Sequence, residues 1–436
     1  MMHSHVPVVV IGAGHAGLAM SRRLTERSIE HVVLERATVA NSWLTERWDS
    51  LRLLTPNWHN RLPGSRGAGC DPDGYMTARE TAIMLERYAA EIAAPVVDGT
   101  TVTSLRPGIG SSEGYDVVTD RGRWTCAAVV VASGGCARTA VPDLAAALPP
   151  SVASVTPLEY RDPTQLAEGG VLVVGASATG AQLAEEIHDS GRPVTLSVGE
   201  HVRMPRTYRG RDVFWWTEAA GVLDERYDEV DDIVRVRHLP SPQLIGTPER
   251  RSIDLNTLQD AGVRIVGRMG RIRDGVAQFS GGLANVCRLA DLKLERLLQR
   301  FDDAAAHLDG DVGPPERFER TRTPQSSTTE IDLATAGIRS VVWATGFRPD
   351  HHWVDLPVFD HAGRIRHDGG VITAAPGAYV LGLGVLRRRR SSYIGGAEWD
   401  TAEIAAHLHR YLDERAHRAL TTSRRLVPID VSLQLS

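Results

Sequence analysis

The chain has few cysteines and lacks long hydrophobic runs. Its four cysteines in 436 residues are too few for a disulfide scaffold, and none forms the C-x-x-C pair of a redox or zinc site. The longest apolar stretch, around Val6 to Met20, is interrupted by proline, glycine and histidine and is too short to cross a bilayer. The first residues carry no basic leader, so we expect no signal peptide. These absences predict a cytoplasmic protein with no membrane partner.

Neither sign of charge dominates the chain. Its 49 basic and 54 acidic residues give a formal net charge of −5, which argues against a general polyanion binder, so no nucleic-acid partner is expected. Only one of the basic residues is a lysine, Lys293. With 42% hydrophobic and 24% charged residues, the composition is that of a globular protein and excludes a disordered or fibrous chain. At roughly 100–200 residues per domain, the length predicts two or three domains.

A glycine motif follows the first predicted strand. The β-branched run Val8–Ile11 is typical of a buried parallel strand, and it leads into Gly12, Gly14 and Gly17 in a G-x-G-x-x-G spacing. In such a motif the first glycine makes a tight turn, the second admits a pyrophosphate, and the third lets the helix lie close to the strand. Glu35 ends the next apolar run, where a carboxylate accepts hydrogen bonds from a ribose. The pattern predicts a dinucleotide site.

The same pattern returns about 160 residues later. The run Val171–Val174 leads into Gly175, Ser177 and Gly180, with a serine hydroxyl available to a phosphate in place of the middle glycine. Beyond the next strand Glu200 would suit an unphosphorylated ribose. The arginines around it instead favour NADPH over NADH, because a guanidinium can pair bidentately with a 2′-phosphate. These arginines are Arg203, Arg206, Arg209 and Arg211.

Two dinucleotide sites in one chain indicate a relay of electrons from a nicotinamide to a flavin. The predicted fold class is α/β, with two Rossmann-like domains and the NADPH-binding domain inserted into the FAD-binding domain. The predicted bounds are residues 1–160 for the first part of the FAD-binding domain, 161–325 for the NADPH-binding domain with a helical insert, and 326–436 for the second part and a C-terminal helix. Within these ranges we expect an amphipathic helix through Ala290 and Phe301, and a linker from Gly310 to Thr329.

Together these motifs resemble the class B flavin-dependent monooxygenases, which include plant auxin-synthesising enzymes and enzymes that oxygenate amines and sulfides. The two glycine motifs match the family's FAD and NADPH fingerprints. The stretch Trp43–Pro56 resembles the segment that runs over the FAD, and Ala344–Pro349, with Thr345 and Gly346, resembles the late A-T-G motif that returns the chain to the FAD domain. The resemblance covers about Val8 to about His409 and is strongest to a bacterial subgroup described only as flavin-dependent oxidoreductases.

The resemblance implies FAD and NADPH as cofactors, with O2 and a small organic molecule as substrates. In this hypothesis NADPH reduces FAD, a flavin C4a-(hydro)peroxide forms, and one oxygen atom enters the substrate. Nitrogen, sulfur or carbon oxygenation is favoured over Baeyer–Villiger insertion, because the chain lacks that branch's fuller signature. Asn57 is the predicted catalytic residue, a hydrogen-bond donor on the peroxide side, although an asparagine here also suits the turn after Pro56. Trp43, Trp48 and Arg52 are predicted FAD contacts.

The chain departs from the family pattern at two places. The linker signature's histidine and glycine positions hold Thr156 and Val152, and that histidine is associated with handling NADP⁺ during oxygen activation. The run Arg387–Arg390 lies where the substrate often approaches. We interpret it as a solvated loop, with recognition of an anionic substrate as the alternative.

Other functions remain open from the sequence. One is a quinone-type NAD(P)H-dependent flavoprotein reductase, and another is a non-catalytic redox sensor subunit that binds FAD and NADPH. Glu403 and His407 share a helix face but have no recognisable third ligand, so no metal is expected. A homodimer is left open.

Overall fold

Two five-stranded parallel sheets form the centres of two α/β domains. The computed structural model describes residues 2–65, 71–108, 114–310 and 312–425, so Cys70 lies outside the described residues. The neighbours in each sheet are parallel throughout. The first sheet has the order Ala378–Val380, Ala128–Val131, Val8–Ile11, His31–Leu34 and Val96–Val97, and the second has the order Ala153–Val155, Ile338–Trp343, Gly170–Val174, Val194–Ser197 and Arg264–Val266.

Smaller sheets flank these centres. The first domain carries a four-stranded sheet of Met2–His5, Gly122–Cys126, Tyr115–Thr119 and Val102–Pro107. The second carries an antiparallel sheet of Met269–Arg273, Val276–Phe279 and Glu330–Asp332. Three short pairs complete the described strands: Val202–Arg203 with Pro242–Gln243, Thr207–Tyr208 with Arg211–Asp212, and Arg138–Thr139 with Phe347–Arg348.

Helices cover the sheets and connect their strands. The α-helices are His15–Thr25, Asn41–Thr45, Ala78–Glu91, Ala178–Asp189, Val213–Ala219, Ile233–Arg237, Leu255–Ala261, Leu283–Ala305 and Ala397–Arg425. The 3₁₀ helices are Asn57–His59, Asp143–Ala147, Pro163–Gln165 and Arg389–Ser392. None of the helices in the described part of the chain is long and apolar enough to cross a membrane.

The structure confirms two helix predictions. Ala290 and Phe301 are buried on one face of Leu283–Ala305, as the apolar stripe predicts. The C-terminal helix Ala397–Arg425 packs on the first domain against His15–Thr25, as expected, and buries Leu408 in that domain's core. The sequence therefore contains enough periodicity to position its long helices.

The chain crosses between the domains at one antiparallel pair. Thr139 is paired with Phe347, and the Thr345 hydroxyl donates to the Ala140 carbonyl oxygen at 2.7 Å. The predicted boundaries leave strands Ala153–Val155 and Ile338–Trp343 outside the second domain, whereas their pairing puts both in its sheet. We therefore place the two crossings at the Thr139–Phe347 pair.

In both glycine turns the following helix lies very close to the backbone of the turn, at nearly the same distance. Gly12 has φ +108°, and a Cβ built on Gly17 would lie 1.9 Å from the Gly12 carbonyl oxygen. Gly175 has φ +107°, and a Cβ on Gly180 would lie 1.8 Å from the Gly175 carbonyl oxygen. No side chain fits at Gly17 or Gly180 unless the helix moves, so these glycines fix how each helix N-terminus meets its sheet.

The second and third glycines of the first turn give a matched test. We expect Gly17→Ala to destabilise the fold by about 1–3 kcal/mol or more, because its methyl group would collide with backbone. Gly14 has φ −79°, and its Cβ would meet no heavy atom within 4 Å. Gly14→Ala should therefore change stability by less than about 1 kcal/mol, while weakening FAD binding. Thermal denaturation of the apoprotein measures the first effect and flavin content the second. Equal losses of stability would contradict this geometry.

Candidate active site

The first glycine turn has the features of a dinucleotide cradle. It opens the helix His15–Thr25, whose N-terminal N–H groups attract phosphate. The Glu35 carboxylate, 9% exposed, accepts a hydrogen bond from the Ala13 N–H at 2.8 Å. Two buried polar atoms beside the turn, His15 Nε2 and Ser133 Oγ, have no hydrogen-bond partner among the described residues. A pyrophosphate and ribose would supply partners for such groups, so the predicted residues fit FAD.

Burial lowers the pKa of His15 to about 4, so its imidazole is neutral at physiological pH. A neutral imidazole at this position donates one hydrogen bond without adding charge. The attraction for phosphate therefore comes from backbone N–H groups and the helix dipole.

The second glycine turn repeats the first, with one difference at the ribose position. Gly175 donates its N–H to the Ser197 carbonyl oxygen, as Gly12 does to Leu34. The residue equivalent to Glu35 is therefore Val198, and no carboxylate stands there. Ser177 precedes the helix Ala178–Asp189, and its hydroxyl makes no capping hydrogen bond to that helix. This turn can therefore offer the Ser177 hydroxyl to a phosphate.

Glu200, which argued against a 2′-phosphate, is neutralised by the one lysine of the chain. The Lys293 ammonium lies 2.7 Å from the Glu200 carboxylate and lowers its pKa. Arg268 lies nearby, because a Cβ on Gly199 would be 3.8 Å from the Arg268 side chain. Arg268 is exposed. The carboxyl edge of the second sheet thus presents basic groups that the sequence analysis did not select.

The four arginines predicted to meet a 2′-phosphate are engaged elsewhere. Arg203 is 4% exposed and pairs with Asp254 and Asp291. Arg206 is fully buried and donates to the Leu54 carbonyl oxygen at 2.8 Å. The other two have partners of their own: Arg209 pairs with Asp302, and Arg211 lies 4.3 Å above the Trp215 ring. Because the side chains of Arg203 and Arg206 are buried, they do not reach the exposed position of the NADPH ribose.

Residues of the segment predicted to run over the FAD pack against different domains. Trp43 lies on the helix Asn41–Thr45, which begins beside the first turn, where the Ala40 N–H bonds to the Ala13 carbonyl oxygen. Trp48, 5% exposed, packs instead into the core of the second domain. Arg52 donates to the Tyr75 carbonyl oxygen at 2.8 Å. Of these three, Trp43 is the one that the structure brings to the glycine turn.

Asn57 is buried and held by two backbone hydrogen bonds. Its Nδ2 donates to the Asp71 carbonyl oxygen at 2.8 Å, and its Oδ1 accepts from the Met76 N–H at 3.2 Å. The amide therefore secures the turn formed by residues 71–76. Nδ2 carries two hydrogens, so one N–H remains after this bond.

The late A-T-G motif lies at the crossing between the two domains, and the altered linker forms a local turn. Thr345 uses its hydroxyl on Ala140, while Gly346, with φ +99°, has open space around its Cβ position. Thr156 donates its hydroxyl to Glu159 at 2.8 Å in a local turn. Thr156 thus has a local partner and does not replace the histidine of the family pattern.

The run Arg387–Arg390 is not a solvated loop, and that interpretation was wrong. Each arginine pairs with an acidic group, and their side chains are no more than 27% exposed. The partners are Glu403 for Arg387 and Arg388, Glu225 for Arg389, and Glu218 and Asp224 for Arg390. The pairs of Arg389 and Arg390 tie the C-terminal segment to the insert of the second domain, whereas those of Arg387 and Arg388 with Glu403 hold that segment to its own helix.

Sequence reasoning missed an aromatic cluster between the domains. Phe214 lies 5.3 Å from the His59 ring and 5.5 Å from the Tyr393 ring, centroid to centroid. Arg206 lies 4.8 Å above the Tyr75 ring. The aromatic density of residues 207–216 was the available signal, but its partners come from three distant segments of the chain.

Comparisons with known proteins agree with this architecture. Residues 9–211 match the family model of the pyridine nucleotide-disulphide oxidoreductases. An uncharacterized oxidoreductase CzcO-like of Geobacillus kaustophilus is 31% identical over 92% of this chain and 97% of its own. The indole-3-pyruvate monooxygenase YUCCA8 of Oryza sativa is 28% identical over 92% of this chain and 93% of its own. A flavin-containing monooxygenase from Stenotrophomonas maltophilia superposes with a TM-score of 0.65, at 20% identity, over 94% of this chain and 99% of its own.

The two glycine turns, the inserted second domain and these similarities lead to one assignment. The chain belongs to the class B flavin-dependent monooxygenases, enzymes that use FAD and NADPH.

Proposed function

We propose that this enzyme inserts one atom of O2 into a small organic substrate by nitrogen, sulfur or carbon oxygenation. In the balanced reaction NADPH gives up a hydride and one proton is taken up, one oxygen atom of O2 enters the substrate, and the other is reduced to water. The presence of two glycine turns of the same geometry carries this proposal, because a single nucleotide site would suffice for direct hydride transfer.

In this proposal the first turn holds the FAD. Gly12, Gly14 and Gly17 admit the pyrophosphate, Glu35 binds the ribose, and Trp43 covers the adjoining part of the cofactor. When bound, the flavin supplies the chemistry that transfers electrons from the nicotinamide to O2. The chain itself must enclose that reaction, since water and free protons would release peroxide.

Asn57 remains our proposed donor at the reacting side of the flavin. Its amide is buried and oriented by Asp71 and Met76, and one N–H is left for a ligand. A donor held in this way needs no reorganisation when charge develops nearby. The same bonds make Asn57 a fixed point of the 71–76 turn.

In the second turn we propose that Gly175, Ser177 and Gly180 bind the NADPH pyrophosphate. We assign the binding of the 2′-phosphate to Arg268 and Lys293 in place of Arg203 and Arg206. Two basic side chains near Gly199, and a valine where NADH-binding turns carry an acid, support this reassignment.

Two buried cysteines, Cys126 and Cys287, are poorly suited to the thiol chemistry of a disulfide reductase. Burial raises the pKa of Cys126 to about 12 and that of Cys287 to about 11, so both thiols are protonated at neutral pH. A protonated thiol is a poor nucleophile for disulfide exchange.

The main test is NADPH-driven O2 consumption by the purified holoenzyme. We expect candidate amines and sulfides to stimulate turnover with little H2O2, because the substrate intercepts the oxygen. Ketones provide the comparison for Baeyer–Villiger activity. Tight nucleotide binding without turnover would contradict the proposal and favour a redox sensor. Substrate-independent electron transfer to quinones would favour a reductase.

Asn57→Ala tests the donor. We expect its rate of product formation to fall by about tenfold to 100-fold, since a charge-assisted hydrogen bond is lost. NADPH consumption should continue, with H2O2 as its product. Asn60 is equally buried and bonds to Thr55, so Asn60→Ala is the matched control. Asn60→Ala should lower stability and leave the peroxide fraction unchanged. The donor role is excluded if both variants release the same fraction of peroxide.

Arg268→Ala tests the 2′-phosphate site. We expect the KM for NADPH to rise about tenfold through loss of a charge-assisted contact, with no change for NADH. Arg271, exposed on the following strand, provides the control Arg271→Ala. Steady-state kinetics with both nucleotides decides the matter. A parallel rise in the KM for NADH would show that Arg268 does not read the phosphate.

A further inference from the structure

Arg206 has a buried guanidinium edge without a hydrogen-bond partner. The side chain is 0% exposed, and only Nη1 is engaged, with the Leu54 carbonyl oxygen and the Asp212 carboxylate. Nε and Nη2 have no partner among the described residues. These two nitrogens form the edge of an arginine that binds a carboxylate bidentately. Folding has already removed this edge from water, so an anion arriving there gains a strong interaction.

Arg203 shows what a complete set of partners looks like in this chain. It is similarly buried and binds two carboxylates, those of Asp254 and Asp291. Arg206 binds only one, that of Asp212, which also accepts a hydrogen bond from the Tyr75 hydroxyl at 2.5 Å. The comparison indicates that Arg206 can accept a second carboxylate.

Aromatic rings line the same region. Tyr75 lies 4.8 Å and Phe214 5.9 Å from the Arg206 guanidinium carbon. On its other side Phe214 contacts His59, whose two buried ring nitrogens have no hydrogen-bond partner within the described part of the chain. Burial and the nearby Arg390 lower the pKa of His59 to about 4, so the ring is neutral. The cluster thus combines the cationic edge of Arg206 with aromatic rings and a neutral imidazole, and the Glu218 carboxylate lies 3.7 Å from His59 Nε2.

The position of the cluster connects it to the reacting centre. Arg206 bonds to Leu54, three residues before Asn57, while Tyr393 adds a ring from the C-terminal segment. Three parts of the chain therefore meet at the 3₁₀ helix Asn57–His59, whose first residue is the proposed oxygen-side donor. A 2′-phosphate would instead lie at the exposed end of the strand Val194–Ser197.

We propose that the Nε–Nη2 edge of Arg206 binds the carboxylate of the substrate, whose apolar body packs on Phe214 and Tyr393. This inference rests on the proposed function, because it identifies the ligand as the molecule to be oxygenated. It restricts the substrate class to organic acids.

Benzoate is a suitable probe, with benzamide as its uncharged isostere and inorganic phosphate as the competing anion. Binding to the holoenzyme is followed by fluorescence of Trp58 and Trp215, which lie in or beside the cluster. This readout does not depend on turnover. If benzoate binds while NADPH drives no oxygenation, the carboxylate site stands and the proposed function fails.

We expect benzoate to bind more tightly than benzamide. Arg206→Gln should weaken benzoate binding by about 10- to 100-fold and leave benzamide unchanged. Arg206→Lys keeps the charge but lacks the paired edge, so it should give an intermediate loss. Arg209→Gln, in the same loop but already paired with Asp302, is the matched control and should retain benzoate binding. Flavin content and circular dichroism report whether each variant folds.

Any of three results would overturn this inference. The first is equal binding of benzoate and benzamide, and the second is benzoate binding that Arg206→Gln and Arg206→Lys leave unchanged. The third is competition by inorganic phosphate together with a raised KM for NADPH in the Arg206 variants, which would assign the edge to the cofactor.

Discussion

Backbone contact between each glycine turn and the helix that follows it determines where both nucleotides can lie. Gly17 and Gly180 bring a helix within reach of the turn's own carbonyl oxygen, at a distance that no Cβ permits. Both helix N-termini are thereby fixed at the carboxyl edge of a parallel sheet, where they attract phosphate. The two domains then need only be held together for electrons to pass between their ligands. The paired crossings at Thr139 and Phe347 provide that connection.

Arginine serves mainly to assemble this enzyme. Arg203 joins two elements of the second domain through Asp254 and Asp291, and Arg389 and Arg390 join the C-terminal segment to the insert. Removing one partner from such buried pairs typically costs several kcal/mol, because a charge is left unpaired. Arg206 differs from these residues in degree, since two of its three guanidinium nitrogens lack a hydrogen-bond partner among the described residues, compared with one in Arg388 and one in Arg390. A buried charge without its full set of partners is a common property of ligand sites.

The sequence predicted the glycine turns because their chemistry is local. Strand, glycines and helix follow one another within about a dozen residues, and each glycine has one local role in the turn or at the pyrophosphate. The roles of the arginines could not be read in the same way. The acidic partners of Arg203 lie 51 and 88 residues away, and only the folded chain brings them together. Trp48 likewise sits in a segment that resembles a cofactor cover, yet its ring packs into the other domain.

The domain boundaries show a further limit of sequence patterns. Ala153–Val155 is a strand of only three residues, none of them buried, so it gives no periodic signal of its own. Its place in the second sheet depends on pairing with Ile338–Trp343, almost two hundred residues later. Pairing at such separation is decided by tertiary packing and not by local preference.

Turnover under isotopically labelled dioxygen tests the central claim most directly. If electrons pass from NADPH through a bound flavin to O2, mass spectrometry will find one labelled oxygen atom in the product and the other in water. Labelled peroxide with an unlabelled product, or a product whose oxygen derives from water, would contradict a monooxygenase.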